Sequence, residues 1–376
     1  MASHPVGGAW TTPVTAFNSD APPKSHSRRK TDTSDAPHKP RSQLNRRADS
    51  MPAILEGLGE VPPVPPRRPS KTTPAAPPTG SQSIAAKILM DAMTDTPFMI
   101  TADRFQRLCR RPSLNTNALL QELVLIAKAS ARSPVSKYQV GAVALGKSGA
   151  VYLGTNLEFS SRSLTETVHA EQFAIANARG RGETEIVSMA LSAPPCGCCR
   201  QFLNELGTDV QILTPGSEPQ LLSALLPDAF GPKDRGLVGG LLTPRGPVVP
   251  YMNSSAVMVQ AVEVAQASYA PYTRARSGVG IETHDGRIYT GGYIENAAFN
   301  PSLSPFHVAL VSLVANGRAY TDIKQVVLVE AGTSLILHAS STRSLLTKIA
   351  PEASFHVVDF PSLGADELNS GAKAGS

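Results

Sequence analysis

The chain has 376 residues, 41% hydrophobic and 17% charged, a composition typical of globular proteins and a length sufficient for two or three domains. Its net charge of +5 lies in residues 1–80, where 11 basic and 6 acidic side chains leave 24 of each sign in the remainder. A formally neutral body speaks against a nucleic-acid-binding protein. No run of 18 apolar residues occurs, so the sequence predicts no membrane-spanning segment.

Residues 1–80 are predicted to form a disordered extension. They hold 15 of the 32 prolines and two aromatic residues, and such a segment buries too little apolar surface to offset the entropy of ordering. Residues 62–67 fit a polyproline ligand for an SH3-type partner, although an ordinary linker is the favoured interpretation. The start of the chain lacks the features of a secretory signal, which predicts a cytoplasmic protein and leaves organellar targeting by the extension open.

Residues 81–132 are predicted to form a helical N-terminal segment, because apolar residues recur at helical spacing after Ser83 and again from Asn115 to Ala131. From residue 133 the apolar period changes to two, which predicts a β-hairpin. The pattern then predicts a helix from His169 to Arg179, a strand from Ile186 to Leu191 and a helix that begins at a cysteine cluster. This order predicts the α/β class and a three-layer α-β-α sandwich.

The module is repeated within the chain. A constant shift of 137 residues superposes five pairs, namely Pro134 on Pro271, Gly141 on Gly278, Gly149 on Gly286, Gly154 on Gly291 and Glu158 on Glu295. We therefore predict one module at 133–225 and a second at 254–362, joined by a linker at 226–253 and followed by a flexible C-terminus at 363–376.

Candidate metal ligands lie in the first copy. Cys196, Cys198 and Cys199 fall within four residues, and such clustering indicates metal or redox chemistry in a reducing compartment rather than a disulfide scaffold. His169 precedes them in the sequence His169-Ala170-Glu171. A catalytic zinc site has three protein ligands and an open fourth position. His169, Cys196 and Cys199 supply that set, which predicts one Zn²⁺ per chain.

Glu171 is the predicted catalytic residue. A carboxylate beside a zinc ion can take a proton from water and return it to a leaving group. The combination of His-x-Glu with Pro-Cys-x-x-Cys is the signature of zinc deaminases. Two alternatives remain open for the cluster, a closed structural zinc site with Cys198 as fourth ligand and a redox Cys-x-x-Cys pair.

Several segments carry a resemblance to a known family, and they lie in its order and spacing: Ser136–Ala142, Gly154–Phe159, Thr167–Gln172, Pro195–Phe202, Asn204–Leu206, Leu226–Asp234 and Glu295–Pro301. From about residue 97 to about residue 350 the chain resembles the two-domain, homodimeric, zinc-dependent cytidine deaminases of the cytidine and deoxycytidylate deaminase superfamily. The resemblance implies hydrolytic deamination of cytidine and 2′-deoxycytidine to uridine and 2′-deoxyuridine, with release of ammonia, in pyrimidine salvage.

The resemblance also implies roles for residues outside the metal site. Asn156 and Glu158 are expected to bind the ribose hydroxyls, Tyr138 to pack on the pyrimidine, and the backbone at Ala170 to read the edge of the base. The expected partner is a nucleoside, not a nucleic acid. A homodimer is expected, in which residues near Phe299 complete the pocket of the partner subunit.

The second copy lacks the chemistry of the first. At the same shift, His169, Glu171, Cys196 and Cys199 become Phe306, Val308, Thr333 and Ile336. His307 is one position away from the equivalent of His169, a rotation of about 100° on a helix, so it is not expected to replace the lost ligand. This pattern indicates a degenerate copy kept for packing and dimerisation.

Two other functions fit parts of the sequence. Polynucleotide cytidine deaminases share the signature, but they require a basic channel with stacking aromatic residues, whereas the body is neutral and aromatic residues make up 5% of the chain. A scaffold that binds partners through the proline-rich extension is the second alternative, and the intact signature speaks against a protein that is only a scaffold.

Overall fold

The computed structural model describes residues 96–110, 115–244 and 254–359, all within a compact unit that spans Ala76–Ser376. The predicted extension with its polyproline segment, the apolar repeat that follows Ser83, and the C-terminus from residue 363 lie outside the described residues. In the part of the chain that is described, no helix has the length and apolar character needed to cross a bilayer.

The first module is built on a six-stranded sheet with the order β1-β3-β2-β4-β5-β6. Strands β4 and β5 are parallel and the other neighbours are antiparallel. The predicted hairpin is β2 and β3, which are joined by a turn with Gly149 at φ 85°. The strands are β1 (Met99–Ile100), β2 (Gly141–Gly146), β3 (Val151–Thr155), β4 (Ile186–Leu191), β5 (Gln211–Leu213) and β6 (Gln220–Leu221).

Helices cover both faces of this sheet. They are α1 (Ala102–Cys109), α2 (Thr116–Ala129), α3 (Ala170–Gly180), α4 (Gly197–Asn204) and the short α5 (Leu222–Leu225). Helix α2 begins at Asn115, whose side-chain oxygen accepts a hydrogen bond from Ala118 N at 2.7 Å, and packs its leucines on one face. Helix α3 packs on the other face, and the result is the predicted three-layer sandwich.

The second module repeats this arrangement with four strands in the order β10-β9-β7-β8. The strands are β7 (Ser277–Thr283), β8 (Ile288–Gly292), β9 (Ile323–Glu330) and β10 (Ser354–Asp359), and the helices are α6 (Ala256–Gln266), α7 (Pro305–Ala315) and α8 (Ala339–Ile349). The pairing register is the same: Ala142 faces Leu191 in the first sheet, and Val279 faces Leu328 in the second. The 137-residue shift read from the sequence therefore holds from β7 to β9. It does not extend to β10, because Ser354 pairs with Gln325 as Gln211 pairs with Ser188, a shift of 354 − 211 = 143 residues.

One helix in each module lies directly on the sheet because a glycine faces it. A Cβ atom on Gly154 would come within 2.2 Å of Ala170 O, and one on Gly291 would come within 2.1 Å of Ala309 N. Glycine is the residue that permits such close backbone approach. Helices α3 and α7 also pack against each other, so one hydrophobic core runs through both modules.

The element predictions are confirmed within the described residues. The helix predicted from Asn115 to Ala131 is α2, the strand predicted from Ile186 to Leu191 is β4, and helices begin at His169 and at the cysteine cluster. The N-terminal segment, predicted to be helical, also supplies strand β1, which pairs with the edge of β3 and is too short to show a periodic pattern. The domain boundaries stay a prediction.

Candidate metal centre and substrate cavity

The predicted metal ligands converge at the starts of two helices. His169 is the N-cap of α3, and Cys196 is the N-cap of α4. The Nδ1 atom of His169 lies 3.3 Å from Cys199 Sγ and 3.6 Å from Cys196 Sγ. A tetrahedral zinc ion, with bonds of about 2.0 Å to nitrogen and 2.3 Å to sulfur, places such ligand atoms about 3.6 Å apart. The three side chains therefore fit zinc both in spacing and in chemistry.

The local electrostatics favour a thiolate at Cys196. Hydrogen bonds from Cys199 and His169 lower the pKa of Cys196 to about 3. The same hydrogen bond to Cys196, together with burial, raises the pKa of Cys199, and the hydrogen bond to Cys196 raises the pKa of His169. The partial positive charge at the two helix N-termini also stabilises negative sulfur.

Cys198 does not join this group. The ligand set that lies within 4.8 Å consists of His169, Cys196 and Cys199, and it is the one such cluster among the described residues. Cys198 instead lines a cavity of about 360 Å³, which His169 also lines. The arrangement has three ligands and an open fourth position, which is typical of a catalytic rather than a closed structural zinc site.

Glu171 lies in the first turn of α3, two residues after His169, and is buried with 4% of its surface exposed. Burial raises the pKa of its carboxyl group. A carboxyl group whose pKa lies above the ordinary value holds a proton more readily near neutral pH, as a general acid and base requires.

A cavity of about 500 Å³ opens beside the metal ligands and Glu171, within the range of small-molecule sites. All the predicted substrate residues line it. Tyr138 is 60% exposed and lies at the rim, whereas Ala170 is buried. The lining residues are Ser136, Tyr138, Val140, Asn156, Glu158, Leu164, Thr167, His169, Ala170, Glu171, Ala193, Pro194 and Cys196.

Asn156 and Glu158 are held by the loop that precedes β2. The Asn156 side chain accepts a hydrogen bond from Val140 N at 2.9 Å and donates one to Tyr138 O at 3.0 Å. The Glu158 carboxylate accepts hydrogen bonds from the backbone N–H groups of Val135 and Ser136 and from the Ser136 hydroxyl. Burial raises the pKa of Glu158, but these hydrogen bonds outweigh it and leave the pKa below the ordinary value. Glu158 is therefore ionised at neutral pH.

The second module uses Glu295 in the same way. Its carboxylate accepts hydrogen bonds from Tyr272 N at 2.8 Å and from the Thr273 hydroxyl. The loops also share a left-handed residue, Lys137 at φ 59° and Arg274 at φ 60°. In both modules, therefore, a glutamate at the same position holds the equivalent loop.

Arg200 has a different role from either of the two that its position suggests. A guanidinium at the start of a helix that carries cysteines could bond a thiolate sulfur or pair with a carboxylate such as that of Glu205. Its guanidinium instead donates to Pro195 O at 2.9 Å and to Leu225 O at 2.7 Å. It thus fixes the turn that leads into the metal-binding helix.

Three residues of the site were given no individual role from the sequence. Leu164 and Thr167 come from a 3₁₀ turn and line the cavity beside His169. Gln172 accepts a hydrogen bond from His169 N at 3.0 Å. A glutamine three residues after an N-cap matches half of a capping box, and that pattern is a signal for Gln172.

Phe299 is not among the residues that line this cavity. Every residue that lines the 500 Å³ cavity belongs to the first module. Phe299 is 55% exposed with φ 62°, and the Arg235 guanidinium lies 5.6 Å from its ring centre.

The counterpart of the cavity in the second module is occupied by side chains. Tyr293 and Glu330 take the places of Asn156 and Ala193, and both are buried. The helix after β9 begins later than the 137-residue shift implies, because its N-cap is His338, five residues beyond the expected Thr333. The Tyr293 and His338 rings lie 4.6 Å apart, and Glu330 accepts a hydrogen bond from His338 N at 2.6 Å.

Comparisons with known proteins agree with this site. Models of the cytidine and deoxycytidylate deaminase zinc-binding region match residues 115–214 and 222–343. A cytidine deaminase of Shewanella frigidimarina is 41% identical over 267 residues, 70% of this chain and 90% of the relative. A cytidine deaminase of Vibrio vulnificus is 38% identical over 280 residues, 74% and 94% of the two chains. A solved cytidine deaminase of Burkholderia pseudomallei is 30% identical, covers 31% of this chain and all of its own, and gives a TM-score of 0.28.

The fold and the site define a zinc-dependent hydrolytic deaminase. A histidine and two cysteines that could hold a metal ion, a neighbouring glutamate and a cavity are the parts that this class of enzyme requires. The chain belongs to the cytidine deaminase family, in its two-domain form. Zinc is accordingly its cofactor, and the resemblance identified from the sequence is confirmed.

Proposed function

We propose that the protein deaminates cytidine and 2′-deoxycytidine, with water, to uridine and 2′-deoxyuridine plus ammonia, as a step of pyrimidine salvage. The observation that carries this proposal is a group of His169, Cys196 and Cys199 with Glu171 beside it, on the wall of a cavity large enough for a nucleoside. The named activity of the family members supports the substrate.

His169, Cys196 and Cys199 are the residues that hold the zinc in this proposal. When bound, zinc acts as a Lewis acid and lowers the pKa of water to about 7. Glu171 takes a proton from water and delivers it to N3 of the pyrimidine while the resulting hydroxide adds to C4. It then takes the proton of the new C4 hydroxyl group and gives it to the amine as the C4–N bond breaks, which leaves the carbonyl group of the product and ammonia. The buried position of Glu171 supports this role, since burial raises the pKa of its carboxyl group and so favours the protonated form that the acid step requires.

The substrate is oriented by residues that line the cavity. Glu158 is ionised and accepts hydrogen bonds from a ribose hydroxyl, and Asn156, two residues earlier, bridges to the sugar. Both residues follow the end of β3, and both line the cavity. Tyr138 packs on the base from the rim, and the backbone at Ala170 reads the base edge. Small, fixed polar groups of this kind determine specificity in apolar pockets.

A homodimer completes the site in this proposal. The exposed ring of Phe299 does not line the 500 Å³ cavity of its own chain, and we assign it to the pocket of the partner subunit. Phe299→Ala is expected to raise the KM for cytidine while the dimer persists in sedimentation. A variant with unchanged KM would contradict the shared pocket.

The four cysteines support a reducing compartment, and we place the protein in the cytoplasm. All four lie in the described residues and all are free thiols. Structural disulfides are rare in reducing compartments, where thiols and metal sites persist.

The function is tested by measuring bound zinc and the ultraviolet change of cytidine on one purified sample. We expect turnover of cytidine and of 2′-deoxycytidine, with ammonia released in equal amount. A single-stranded oligonucleotide serves as the competing substrate. Turnover of the oligonucleotide without turnover of the nucleoside would replace the proposed function with polynucleotide deamination.

A further inference from the structure

Both helices that carry the proposed metal ligands form hydrogen bonds with one segment of the second module. We call residues 296–301, between β8 and α7, the clamp segment. From α3, Gln172 Nε2 donates a hydrogen bond to Pro301 O at 3.0 Å. From α4, Gln201 O accepts a hydrogen bond from Asn296 Nδ2 at 3.0 Å. The clamp segment therefore bridges the two helices from which His169 and the cysteines project.

Gln172 connects this segment to a metal ligand through a single side chain. It is 3% exposed, its Oε1 accepts from His169 N at 3.0 Å and its Nε2 donates to Pro301 O. One partner is a donor and the other an acceptor, so only one orientation of the amide group makes both hydrogen bonds. A shift of Pro301 would turn the amide and release the backbone N–H of His169.

The other end of the clamp segment is fixed by a buried carboxylate. Glu205, directly after α4, is fully buried and accepts hydrogen bonds from Ala297 N at 2.9 Å, Tyr269 OH at 2.6 Å and Tyr272 OH. Three donors converge on this one side chain, all from the second module. Removing one partner from a buried charged network leaves an uncompensated group, so such networks hold their geometry firmly.

The spacing of the metal ligands depends on how the two helices are placed. The separations of 3.3 and 3.6 Å from His169 Nδ1 join an atom on α3 to sulfur atoms on α4. A metal site tolerates deviations of only about 0.2 Å in its bond lengths. A segment that binds both helices therefore influences the distances between the ligand atoms.

We propose that Gln172 is a positioning residue, through which the clamp segment of the second module holds His169 at the distance from the cysteines that zinc requires. The degenerate copy then takes part in the metal site without offering a ligand. This inference rests on the zinc ligands given under the proposed function, and it extends them to a residue that does not touch the metal.

The test compares zinc loss from purified holoenzymes in the presence of a chelator. Gln172→Met removes both hydrogen bonds. Gln172→Glu keeps an acceptor for His169 N but places a carboxylate oxygen against Pro301 O. Loss of a partner that orients a metal ligand typically weakens binding by about 10- to 100-fold, so we expect both variants to release zinc at least about tenfold faster. The visible absorption bands of the Co²⁺-substituted variants should shift as well.

Asn177→Leu is the matched control. Asn177 is a buried amide on the same helix, 4% exposed, and donates to Phe98 O at 2.9 Å and Leu153 O at 3.1 Å, within the first module. We expect it to lower the melting temperature at least as much as Gln172→Met, and to keep the wild-type rate of zinc loss and the wild-type Co²⁺ spectrum.

Two outcomes would overturn the proposal: zinc loss at the wild-type rate from both Gln172 variants, or equally rapid loss from Asn177→Leu. Cytidine turnover of the wild-type enzyme is measured separately. If the wild type retained zinc but did not deaminate cytidine, the proposed substrate would fail, while the comparison of zinc loss would still decide the role of Gln172.

Discussion

The two modules share a sheet, a pairing register and a glycine-packed helix, but they differ in what occupies the same place on the sheet. In the first module Asn156 and Ala193 leave a cavity open beside the metal ligands. In the second, Tyr293 and Glu330 stand at the equivalent positions and are buried. The shared fold therefore does not by itself produce a pocket. The pocket depends on a few side chains at this place, and the neighbouring strands pair in the same register in both modules although these side chains differ.

The largest contrast is expected at the metal ligands. Cys196→Ala should reduce bound zinc from one per chain to near none and abolish turnover, because it removes one of the three ligands of the group. Bound zinc is measured by atomic absorption on the purified chain. The adjacent Cys198→Ala should keep one zinc per chain. Two zinc ions in the wild type would show that the second module is not degenerate.

The second largest effect is expected at Glu171, the proposed general acid and base. Glu171→Gln should retain zinc and fold while kcat falls on the order of 10³-fold, since a positioned general base typically contributes 10² to 10⁴. Steady-state kinetics with cytidine provide the measurement. The matched variant is Glu330→Gln, which changes a buried carboxyl group in the second module and should leave kcat within about twofold. Equal losses in the two variants would contradict the division of labour between modules.

A third contrast concerns acid stability. Burial lowers the pKa of His338, in the second module, to about 4, from an ordinary value of 6.5. Between pH 6.5 and 4 the unfolded chain binds a proton that the folded chain does not, so the contribution to stability is present above pH 6.5 and is lost as the pH falls to 4. The difference corresponds to roughly 3 kcal/mol.

We therefore expect His338→Gln to flatten the loss of unfolding free energy between pH 7 and pH 4, measured by urea titration at several pH values. Burial also lowers the pKa of His307 to about 4. The unfolding free energy of a variant that lacks both histidines should therefore depend even less on pH. An unchanged slope in both variants would show that acid sensitivity arises outside the second module.

The smallest contrast separates two equivalent carboxylates. Glu295 is fully buried, so Glu295→Gln places an amide against backbone donors and should lower the unfolding free energy by about 1–3 kcal/mol. Glu158 is partly exposed and lines the cavity, so Glu158→Gln should cost less stability and instead raise the KM for cytidine. Melting curves and Michaelis kinetics on both variants measure the two effects. Interchanged results would mean that the roles are reversed.

Local patterns in the sequence were sufficient for the elements and for the group of side chains that could hold a metal ion. The hairpin, α3, β4 and α4 each show a complete period or a capping residue, and His169, Cys196 and Cys199 have a spacing with few other uses. These features depend on residues that are close along the chain or on a recognised signature.

Long-range partners were not accessible in the same way. Gln172 reaches Pro301, 129 residues later, and a single sequence contains no signal for that pair. The extra residues before His338 also escaped the constant shift, since the matched glycines and the strands β7 to β9 all precede them in the chain. Arg200 has several carbonyl and carboxylate groups within reach, and only the folded geometry selects among them.

The glycines under α3 and α7 separate two kinds of constraint on this chain. Any side chain at Gly154 or Gly291 would collide with the backbone of the helix above, whatever that helix carries. In the first module Ala170 makes this contact, and the proposed ligand His169 and the proposed acid Glu171 stand on either side of it in the sequence. The second module has Phe306 and Val308 at the equivalent positions and still keeps a glycine in close contact with its helix. The packing of this helix on its sheet therefore does not require the side chains that are proposed to perform the chemistry.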